Sequence, residues 1–249
     1  MDRKPQIIIR DNLSALAGTG ADIFAASAIE NVINKGRFVT AISGGSTPGP
    51  MHRLLSRDPY LSEIPWNKTH IFWVDERCVP VSRTESNYGE ARKRFLDIVP
   101  IPSDHIHNIS VEVPPEEGAL RYQRELIKFF GLKRGEFPVF DLIFMGIGAD
   151  GHTASIYPKS SALEENKKLM LSVKGGDPLV HRLTMILPVL NNAKKIIFLV
   201  SGKDKSEIIG DIIMQRQKGL PAEMIKPAHG EIIWLIDREA ASLLTEIIL

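Results

Sequence analysis

A turn that could carry out proton transfer follows the apolar run at residues 140–145. It reads Gly146-Ile147-Gly148-Ala149-Asp150-Gly151-His152. Glycine tolerates positive φ and lets the backbone approach a ligand closely, so this turn can form one wall of a binding site. The imidazole of His152 is the side chain best suited to move a proton near neutral pH, and Asp150 lies just before it. We therefore expect the chemistry of the protein at this turn.

The glycines of this turn also match the dinucleotide fingerprint G-x-G-x-x-G, which makes a nicotinamide enzyme an alternative interpretation. That fingerprint requires a long helix directly after it, with the pyrophosphate on the helix N-terminus, and an acid about 20 residues further on. Pro158 follows Gly151 too closely for such a helix. Because a single match to this pattern is a weak signal, we do not favour the dinucleotide interpretation.

A second glycine-rich segment has the composition of a phosphate-binding loop. It reads Ser43-Gly44-Gly45-Ser46-Thr47-Pro48. The segment joins an apolar run to a helix that Pro48 can begin, so free backbone N–H groups and hydroxyl groups can face an anion. It is not a Walker loop, because no Gly-Lys-Ser/Thr follows. The alternative is an ordinary tight connection between a strand and a helix.

Charged side chains occupy comparable positions elsewhere in the chain. Asp75-Glu76-Arg77 ends an apolar run, where three charges are costly unless they line a cleft. Lys205 lies near the start of a predicted helix, and Arg182 precedes another apolar run. Guanidinium and ammonium groups are natural partners for a phosphate dianion. Taken singly, however, a lysine or arginine is more often a solvated surface charge.

Two other groups of residues favour a structural interpretation. Cys78 is the only cysteine, and no nearby histidine supports it as a nucleophile, so we expect a small buried residue. His105 and His107 could face the same way on a strand. A metal ion would need a third ligand that the sequence does not identify, so we predict no metal site.

Alternating strands and helices must position these candidate residues. Apolar runs predict strands at Gln6–Ile9, Phe38–Ile42, His70–Val74, Phe140–Met145, Lys195–Val200 and Glu231–Ile236. Helical patterns lie at Leu13–Lys35, Glu116–Phe130 and Lys203–Gln217, and loops are expected at Pro100–Pro102, Pro114–Pro115 and Gly175–Pro178. This alternation predicts a single α/β domain over residues 1–249, with a mostly parallel twisted sheet and helices on both faces. Ligands bind at the carboxyl ends of such strands, so we expect the polar clusters to converge there.

Composition narrows the classes of function. The chain has 249 residues, of which 43% are hydrophobic, and a formal net charge of +1. A nearly neutral chain argues against nucleic acid as the main partner. No apolar run reaches the roughly 18 to 20 residues of a membrane span, and the N-terminus has no secretory h-region, so we expect a cytoplasmic protein without membrane contact. The single cysteine excludes an internal disulfide and a cysteine-based zinc cluster.

With these motifs assembled, the chain resembles the 6-phosphogluconolactonase family over nearly its whole length. The motifs, in the family's order, are Ser43-Gly44-Gly45-Ser46-Thr47-Pro48, Trp73-Val74-Asp75-Glu76-Arg77, Ser86-Asn87-Tyr88, Gly146 to Ser155 and Arg182-Leu183-Thr184. Together they are highly specific. The resemblance implies the fold shared with glucosamine-6-phosphate deaminase and ribose-5-phosphate isomerase. It also implies hydrolysis of 6-phospho-D-glucono-1,5-lactone in the oxidative pentose phosphate pathway, with no metal or organic cofactor.

The resemblance further implies a role for each candidate residue. His152 would be the general base that activates water, and Asp150 would position the imidazole or bind the sugar. Arg77 and backbone N–H groups of the glycine turn are the candidates for stabilising the oxyanion. The substrate would be bound by Ser43, Gly44, Gly45, Ser46, Thr47, Asp75, Arg77, Asn87, Gly148, Arg182 and Lys205. The sequence does not fix the oligomeric state, for which we expect a monomer.

The nearest alternative is the deaminase branch of the same fold. Deaminases carry a glutamate at the position of Tyr157, where it completes a relay for ring opening, and usually an aromatic residue at the position of Arg77. Both departures favour the lactonase. A non-catalytic sugar-phosphate sensor is a further alternative, but no DNA-binding segment is apparent and His152 is present.

Overall fold

Seven parallel strands form the central sheet of the computed structural model, which describes residues 5–176, 179–216 and 219–244. All strands of the described residues are β1 (Gln6–Arg10), β2 (Phe38–Ile42), β3 (Thr69–Trp73), β4 (Asp75–Arg77), β5 (Ile106–His107), β6 (Leu142–Met145), β7 (Met170–Gly175), β8 (Val180–Met185), β9 (Lys195–Val200) and β10 (Glu231–Asp237). The central sheet has the order β1-β10-β9-β6-β2-β3-β5. Strands β4, β8 and β7 form a smaller antiparallel sheet.

The helices of the described residues differ widely in length. They are α1 (Leu13–Lys35), α2 (Pro48–Leu55), α3 (Tyr60–Glu63), α4 (Asn87–Ala91), α5 (Pro115–Phe130), α6 (Leu187–Leu190) and α7 (Ser206–Ile213). Short 3-10 turns lie at Trp66–Lys68, Ser103–His105, Ser161–Leu163, Lys203–Lys205 and Pro221–Met224, and a π-helical turn lies at Arg92–Leu96. Within the described ranges, no helix is long and apolar enough to cross a membrane.

The two longest helices begin and end at residues that are typical of helix termini. The side chain of Asn12 accepts a hydrogen bond from the Ala15 N–H (3.0 Å) at the start of α1, and Gly36 ends that helix with φ 79°. Pro115 is the first residue of α5, a position that needs no N–H donor, and Gly131 ends the helix with φ 64°. The expectation of a loop at Pro114–Pro115 was therefore wrong for its second residue.

The predicted α/β class and largely parallel sheet are confirmed. Every residue of β2 and β6 is buried, which requires that both faces of the sheet centre are covered. Large aromatic side chains fill this core, and the ring of Phe24 lies 5.5 Å from that of Phe38 and 6.3 Å from that of Phe144 between centroids. These contacts make the sheet centre a rigid support for the turns at its carboxyl end.

Several predicted boundaries differ from the structure. The strand predicted from Phe140 begins at Leu142, and the helix predicted from Lys203 begins with a 3-10 turn before α7. Gly175 is the last residue of β7 rather than the start of a loop, and Pro178 and Gln217 lie outside the described residues. The small antiparallel sheet was not predicted, because its strands lack long apolar runs.

Candidate active site

One cleft of about 190 Å³ opens at the carboxyl ends of β2, β3, β6 and β9. The candidate residues that line it are Ser43, Gly44, Gly45, Ser46, Thr47, Asp75, Arg77, Asn87, His152, Arg182 and Lys205. The further lining residues Pro48, Gly146, Ile147 and Ala154 belong to the motifs quoted above. Leu199 and Val200, which sequence reasoning did not assign to the site, line the cleft at the end of β9 together with Ser201. The predicted convergence of the polar clusters on one end of the sheet is confirmed.

His152 and Asp150 form a directly bonded pair at this cleft. Nδ1 of His152 lies 2.6 Å from Oδ1 of Asp150, and the backbone N–H of His152 donates to the same oxygen (3.1 Å). Partial burial opposes ionisation of Asp150, but the hydrogen bonds and the nearby imidazole outweigh it and lower the pKa of this carboxyl group. A carboxylate at Nδ1 holds the ring proton there, which leaves Nε2 as the nitrogen that can accept a proton.

Gly148 supports this pair and does not line the cleft. A Cβ atom on Gly148 would overlap Nδ1 of His152 and lie 2.5 Å from Oδ1 of Asp150. The Gly148 N–H also donates to the backbone carbonyl of His152 (2.9 Å). Glycine is therefore required so that the carboxylate and imidazole can meet above the turn, a role distinct from the predicted substrate contact.

No helix follows the glycine turn, so the dinucleotide interpretation fails. After His152 the chain makes a tight turn in which the Ile156 N–H donates to the Thr153 carbonyl (2.9 Å). Ala154, at the tip, has φ 49°, which is uncommon for a residue with a Cβ atom. The turn therefore lacks the helix N-terminus that binds the pyrophosphate in dinucleotide-binding proteins.

The segment Ser43–Pro48 combines a helix start with unoccupied donors. Thr47 precedes α2 without capping it through its side chain, and Pro48 is the first helical residue. Gly45 has φ 105°, and a Cβ atom on Gly44 would overlap the amide of Asn87. The hydroxyl of Ser43 donates to the Phe144 carbonyl (2.9 Å), so this side chain anchors the loop to β6. Among the described residues, the backbone N–H groups of this segment and the Ser46 and Thr47 hydroxyls have no hydrogen-bond partner, so they are available to an anion.

Arg77 and Arg182 are neighbours across β4 and β8, which pair them directly. Arg182 is buried and donates from Nε to the Gly175 carbonyl (3.0 Å), while Nη1 of Arg77 donates to the Glu85 carbonyl (2.6 Å). In the part of the chain that the structure describes, no carboxylate lies within 4.0 Å of either guanidinium. Two adjacent cations without a counter-ion make this wall suited to an anionic ligand.

The buried carboxylates of Asp75 and Glu76 have different hydrogen-bond partners and therefore different roles. The buried carboxylate of Asp75 accepts hydrogen bonds from the Ser155 hydroxyl (2.6 Å) and the Asn87 amide (3.3 Å) at the cleft wall. Glu76 is also buried but accepts backbone N–H groups of Arg77 (2.7 Å) and Asn87 (2.8 Å). Burial raises the pKa of Glu76, although these N–H groups oppose the shift. Glu76 therefore fixes the backbone around the site, whereas Asp75 faces the cleft.

Lys205 reaches the cleft from the short turn after β9. Its Nζ lies 3.1 Å from Oδ2 of the exposed Asp204. The turn is anchored by the buried Asp237, which accepts hydrogen bonds from the Ser201 hydroxyl and the Gly202 N–H. Sequence reasoning missed Asp237, because only the fold brings the end of β10 beside the end of β9.

The histidines at the sheet edge and the cysteine take no part in the cleft. Nε2 of His107 lies 3.2 Å from Nδ1 of His70, and Nδ1 of His107 lies 2.7 Å from Oε1 of Glu125. Among the described residues, no group of three or more His, Cys, Asp and Glu side chains could hold a metal ion. Burial raises the pKa of Cys78 to about 11, which disfavours a reactive thiolate at neutral pH.

Comparison with known proteins gives the family. The family model described as glucosamine-6-phosphate isomerases/6-phosphogluconolactonase matches residues 11–234. The chain belongs to this family. A relative named 6-phosphogluconolactonase, from Synechocystis sp., is 38% identical over 240 residues, which cover 95% of this chain and 97% of the relative. The family assignment made from the sequence motifs is thereby confirmed.

Solved structures support the same assignment within the lactonase/deaminase family. The 6-phosphogluconolactonase of Trypanosoma brucei is 27% identical, with a TM-score of 0.87 and coverage of 97% of this chain and 99% of that chain. A monomeric glucosamine-6-phosphate deaminase is 22% identical with a TM-score of 0.81, covering 96% of this chain and 99% of that chain. The likeness to the deaminase shows the fold alone, and it confirms the predicted deaminase-like architecture.

Proposed function

We propose that the chain hydrolyses 6-phospho-D-glucono-1,5-lactone to 6-phosphogluconate in the oxidative pentose phosphate pathway, with His152 as general base. The observation that carries the proposal is the bonded pair of His152 and Asp150 in a cleft whose other walls present cations and free N–H donors. The lactonases among the relatives support this substrate class. The chemistry of the cleft agrees with it, because the substrate has one anionic end and one electrophilic carbonyl.

The proposed reaction begins when Nε2 of His152 takes a proton from water. The hydroxide formed attacks the lactone carbonyl carbon and gives a tetrahedral oxyanion. Asp150, bonded to Nδ1, stabilises the imidazolium and keeps its ring in place. The intermediate then expels the ring oxygen, which takes the proton back from Nε2, and the carbon–oxygen bond of the lactone is broken. No step requires a metal ion or an organic cofactor.

The cationic side of the cleft is the proposed site of the 6-phosphate. Arg182 and Lys205, with the N–H groups and hydroxyls of Ser46 and Thr47, would share the charge of the phosphate. Arg77 lies beside Arg182 through the strand pairing and is our candidate for stabilising the oxyanion, together with N–H groups of the glycine turn. Binding energy from the remote phosphate would then orient the carbonyl toward His152.

The sugar end is the proposed partner of Asp75 and Asn87. Asp75 already accepts hydrogen bonds from Ser155 and Asn87, so its remaining lone pairs can accept sugar hydroxyls. Three further points stay predictions: one domain over residues 1–249, a monomer that acts on a small molecule rather than nucleic acid, and a cytoplasmic location.

Two assays run in parallel test the proposed function. One follows acid release from enzymatically generated 6-phosphogluconolactone, corrected for its spontaneous hydrolysis. The other follows ammonia release from glucosamine 6-phosphate, the reaction of the deaminase branch. We expect lactone hydrolysis and no ammonia, because Tyr157 replaces the carboxylate needed for ring opening. Ammonia release at a rate comparable to lactone hydrolysis would overturn the assignment and leave the fold intact.

A further inference from the structure

Tyr157 packs against two residues of the site without lining the cleft. Its ring centroid lies 4.8 Å from that of His152, with 38° between the ring planes. The guanidinium carbon of Arg182 lies 6.0 Å from the same ring centroid. One aromatic ring therefore contacts both the proposed base and a proposed phosphate ligand, although Tyr157 itself does not line the cleft.

The tight turn after His152 brings the ring to this place. Thr153 and Ile156 pair as an isolated bridge, which reverses the chain and returns residue 157 to the imidazole. The turn requires the positive φ of Ala154, a conformation that costs free energy for a residue with a Cβ atom. Such a conformation persists only where its surroundings hold it, and the contacts of Tyr157 contribute to that.

The end of β7 also packs against the ring. A Cβ atom on Gly175 would overlap the Tyr157 ring. A Cβ atom on Gly176, which has φ 87°, would overlap Nη2 of Arg182 and lie 2.9 Å from Oη of Tyr157. The ring is thus enclosed between the catalytic turn and the small sheet, with Arg182 against it. Packing of this kind restricts the movement of both site residues.

The hydroxyl group of Tyr157 has no comparable task. It is buried and has no hydrogen-bond partner among the described residues. Burial raises the pKa of Tyr157, so the phenol stays neutral and supplies no charge. A buried hydroxyl without a partner costs free energy, so its removal should not harm the fold. The useful part of the side chain is its ring.

We propose that Tyr157 is a positioning residue that holds His152 and Arg182 in place through its aromatic ring alone. The inference rests on the proposed function of these two residues. The inference assigns the role to the ring and none to the hydroxyl group, so two substitutions of Tyr157 can test the ring and the hydroxyl group separately. Tyr157→Phe keeps the ring, whereas Tyr157→Leu removes it. The control is Phe130→Leu, which removes an aromatic ring outside the cleft and loses a similar side-chain volume.

Turnover should follow the ring and not the hydroxyl. Tyr157→Leu should lower kcat for the lactone about 10- to 100-fold, because misplacement of a catalytic group by about 1 Å is worth up to 10²-fold. Tyr157→Phe should retain wild-type kcat and a melting temperature equal to or above that of the wild type. Phe130→Leu should leave kcat unchanged even where it lowers the melting temperature. Loss of kcat in Tyr157→Phe equal to that in Tyr157→Leu would overturn the assignment to the ring alone.

Binding of 6-phosphogluconate, measured calorimetrically, tests the contact with Arg182. Tyr157→Leu should weaken binding about 2- to 5-fold, the size of a cation–π contact. In the Arg182→Ala background the same change should cause no further loss, because the contact is already absent. A purely structural role would weaken both backgrounds equally. Wild-type kcat together with wild-type affinity in Tyr157→Leu would refute the inference.

An NMR measurement that does not depend on catalytic turnover tests this inference separately from the proposed function. The ring proton that His152 shares with Asp150 should give a downfield NMR signal, assigned by its loss in His152→Ala. The signal should persist in Tyr157→Phe and broaden or vanish in Tyr157→Leu, or in Tyr157→Met if the leucine variant does not fold. A wild type that leaves the lactone intact would end the proposed function. An unchanged signal in both non-aromatic variants would end the present inference.

Discussion

At the amino ends of β2, β6 and β9, charged side chains are paired with each other, whereas at the carboxyl ends comparable charges face an open cleft. At the amino end, the buried carboxylate of Asp141 accepts three hydrogen bonds. The donors are Nζ of Lys35 (2.6 Å), Nζ of Lys194 (3.1 Å) and the backbone N–H of Val39 (2.9 Å). One acid thus satisfies two cations and a backbone donor. Charge at this end of the sheet is used to hold the strands together.

The two arginines at the carboxyl end are arranged differently. Arg77 and Arg182 face each other across two strands, and each donates to a backbone carbonyl rather than to a carboxylate. Like charges side by side without a counter-ion reduce stability unless a ligand supplies the opposite charge. A cluster of cations therefore indicates a binding site only where the protein supplies no carboxylate to pair with it.

His152→Ala should have the largest effect, because it removes the proposed base while leaving the cationic wall intact. Loss of a general base typically costs about 10² to 10⁴ in rate, and this loss should appear in kcat. Binding of 6-phosphogluconate should be retained, since the imidazole acts on the proton rather than on the anchor. Steady-state kinetics and calorimetry on the same preparation give both values. Wild-type turnover in a folded variant would remove His152 from the mechanism.

Arg182→Ala and Lys205→Ala should each weaken binding of 6-phosphogluconate. Each charge-assisted contact to phosphate is worth roughly 1.5 to 3 kcal/mol, or about 10- to 150-fold in affinity. Lys35→Ala is the matched control, because Lys35 is paired with Asp141 at the other end of the sheet. Calorimetric titration should show no change for the control. Equal losses for the control and the two cleft variants, or no loss for any of them, would contradict the distinction between a cation held by a buried carboxylate and cations that line the cleft.

The sequence was sufficient to predict those parts of the site that follow buried parallel strands. Such strands are continuous apolar runs, so a glycine or a charge directly after one stands out, as with Ser43–Pro48 and Gly146–His152. Because parallel strands end at the same side of a sheet, the meeting of these segments also followed from the sequence.

The remaining parts depend on contacts between distant segments. Strands β7 and β8 are partly exposed and carry no continuous apolar run, so the pairing that sets Arg182 beside Arg77 could not be predicted. The support that Gly148 gives to His152 depends on the path of the turn, and the anchoring of the Lys205 turn by Asp237 depends on strand order. The hydrophobic periodicity of the sequence contains no information on the path of this turn or on the order of the strands.

Asp141→Asn should affect stability and leave catalysis unchanged, since its partners lie at the amino end. The amide retains an oxygen for the Val39 N–H but loses the charge that holds Lys35 and Lys194. Hydrogen bonds to charged groups are worth about 1.5 to 3 kcal/mol, and the two lysines are partly exposed, so we expect a loss of about 1 to 2 kcal/mol in urea unfolding. A fall in kcat at full stability would contradict the division of tasks between the two ends.

His52 is a third case, because it is an ionisable side chain that is buried and does not line the cleft. Both of its ring nitrogens lack hydrogen-bond partners among the described residues. Burial, together with the nearby Arg94 and Arg53, lowers the pKa of His52 to about 3 from its usual value of 6.5. A buried ionisable group that is neither paired nor open to a ligand is therefore kept neutral.

The stability of the protein should consequently depend on His52 in mildly acidic solution. Between pH 6.5 and about 3, the unfolded chain binds a proton at this residue and the folded chain does not, so stability falls as the pH falls. One such group contributes at most about 1.4 kcal/mol per pH unit. Urea unfolding from pH 7 to pH 4.5 should show a shallower decline for His52→Leu than for the wild type, while the same change at the exposed His229 should leave the decline unaltered. Parallel declines for the wild type and His52→Leu would mean that the folded protein accommodates a charged imidazole at this position. The distinction between charges paired inside the protein and charges that face the cleft would then stand without His52 as a third case.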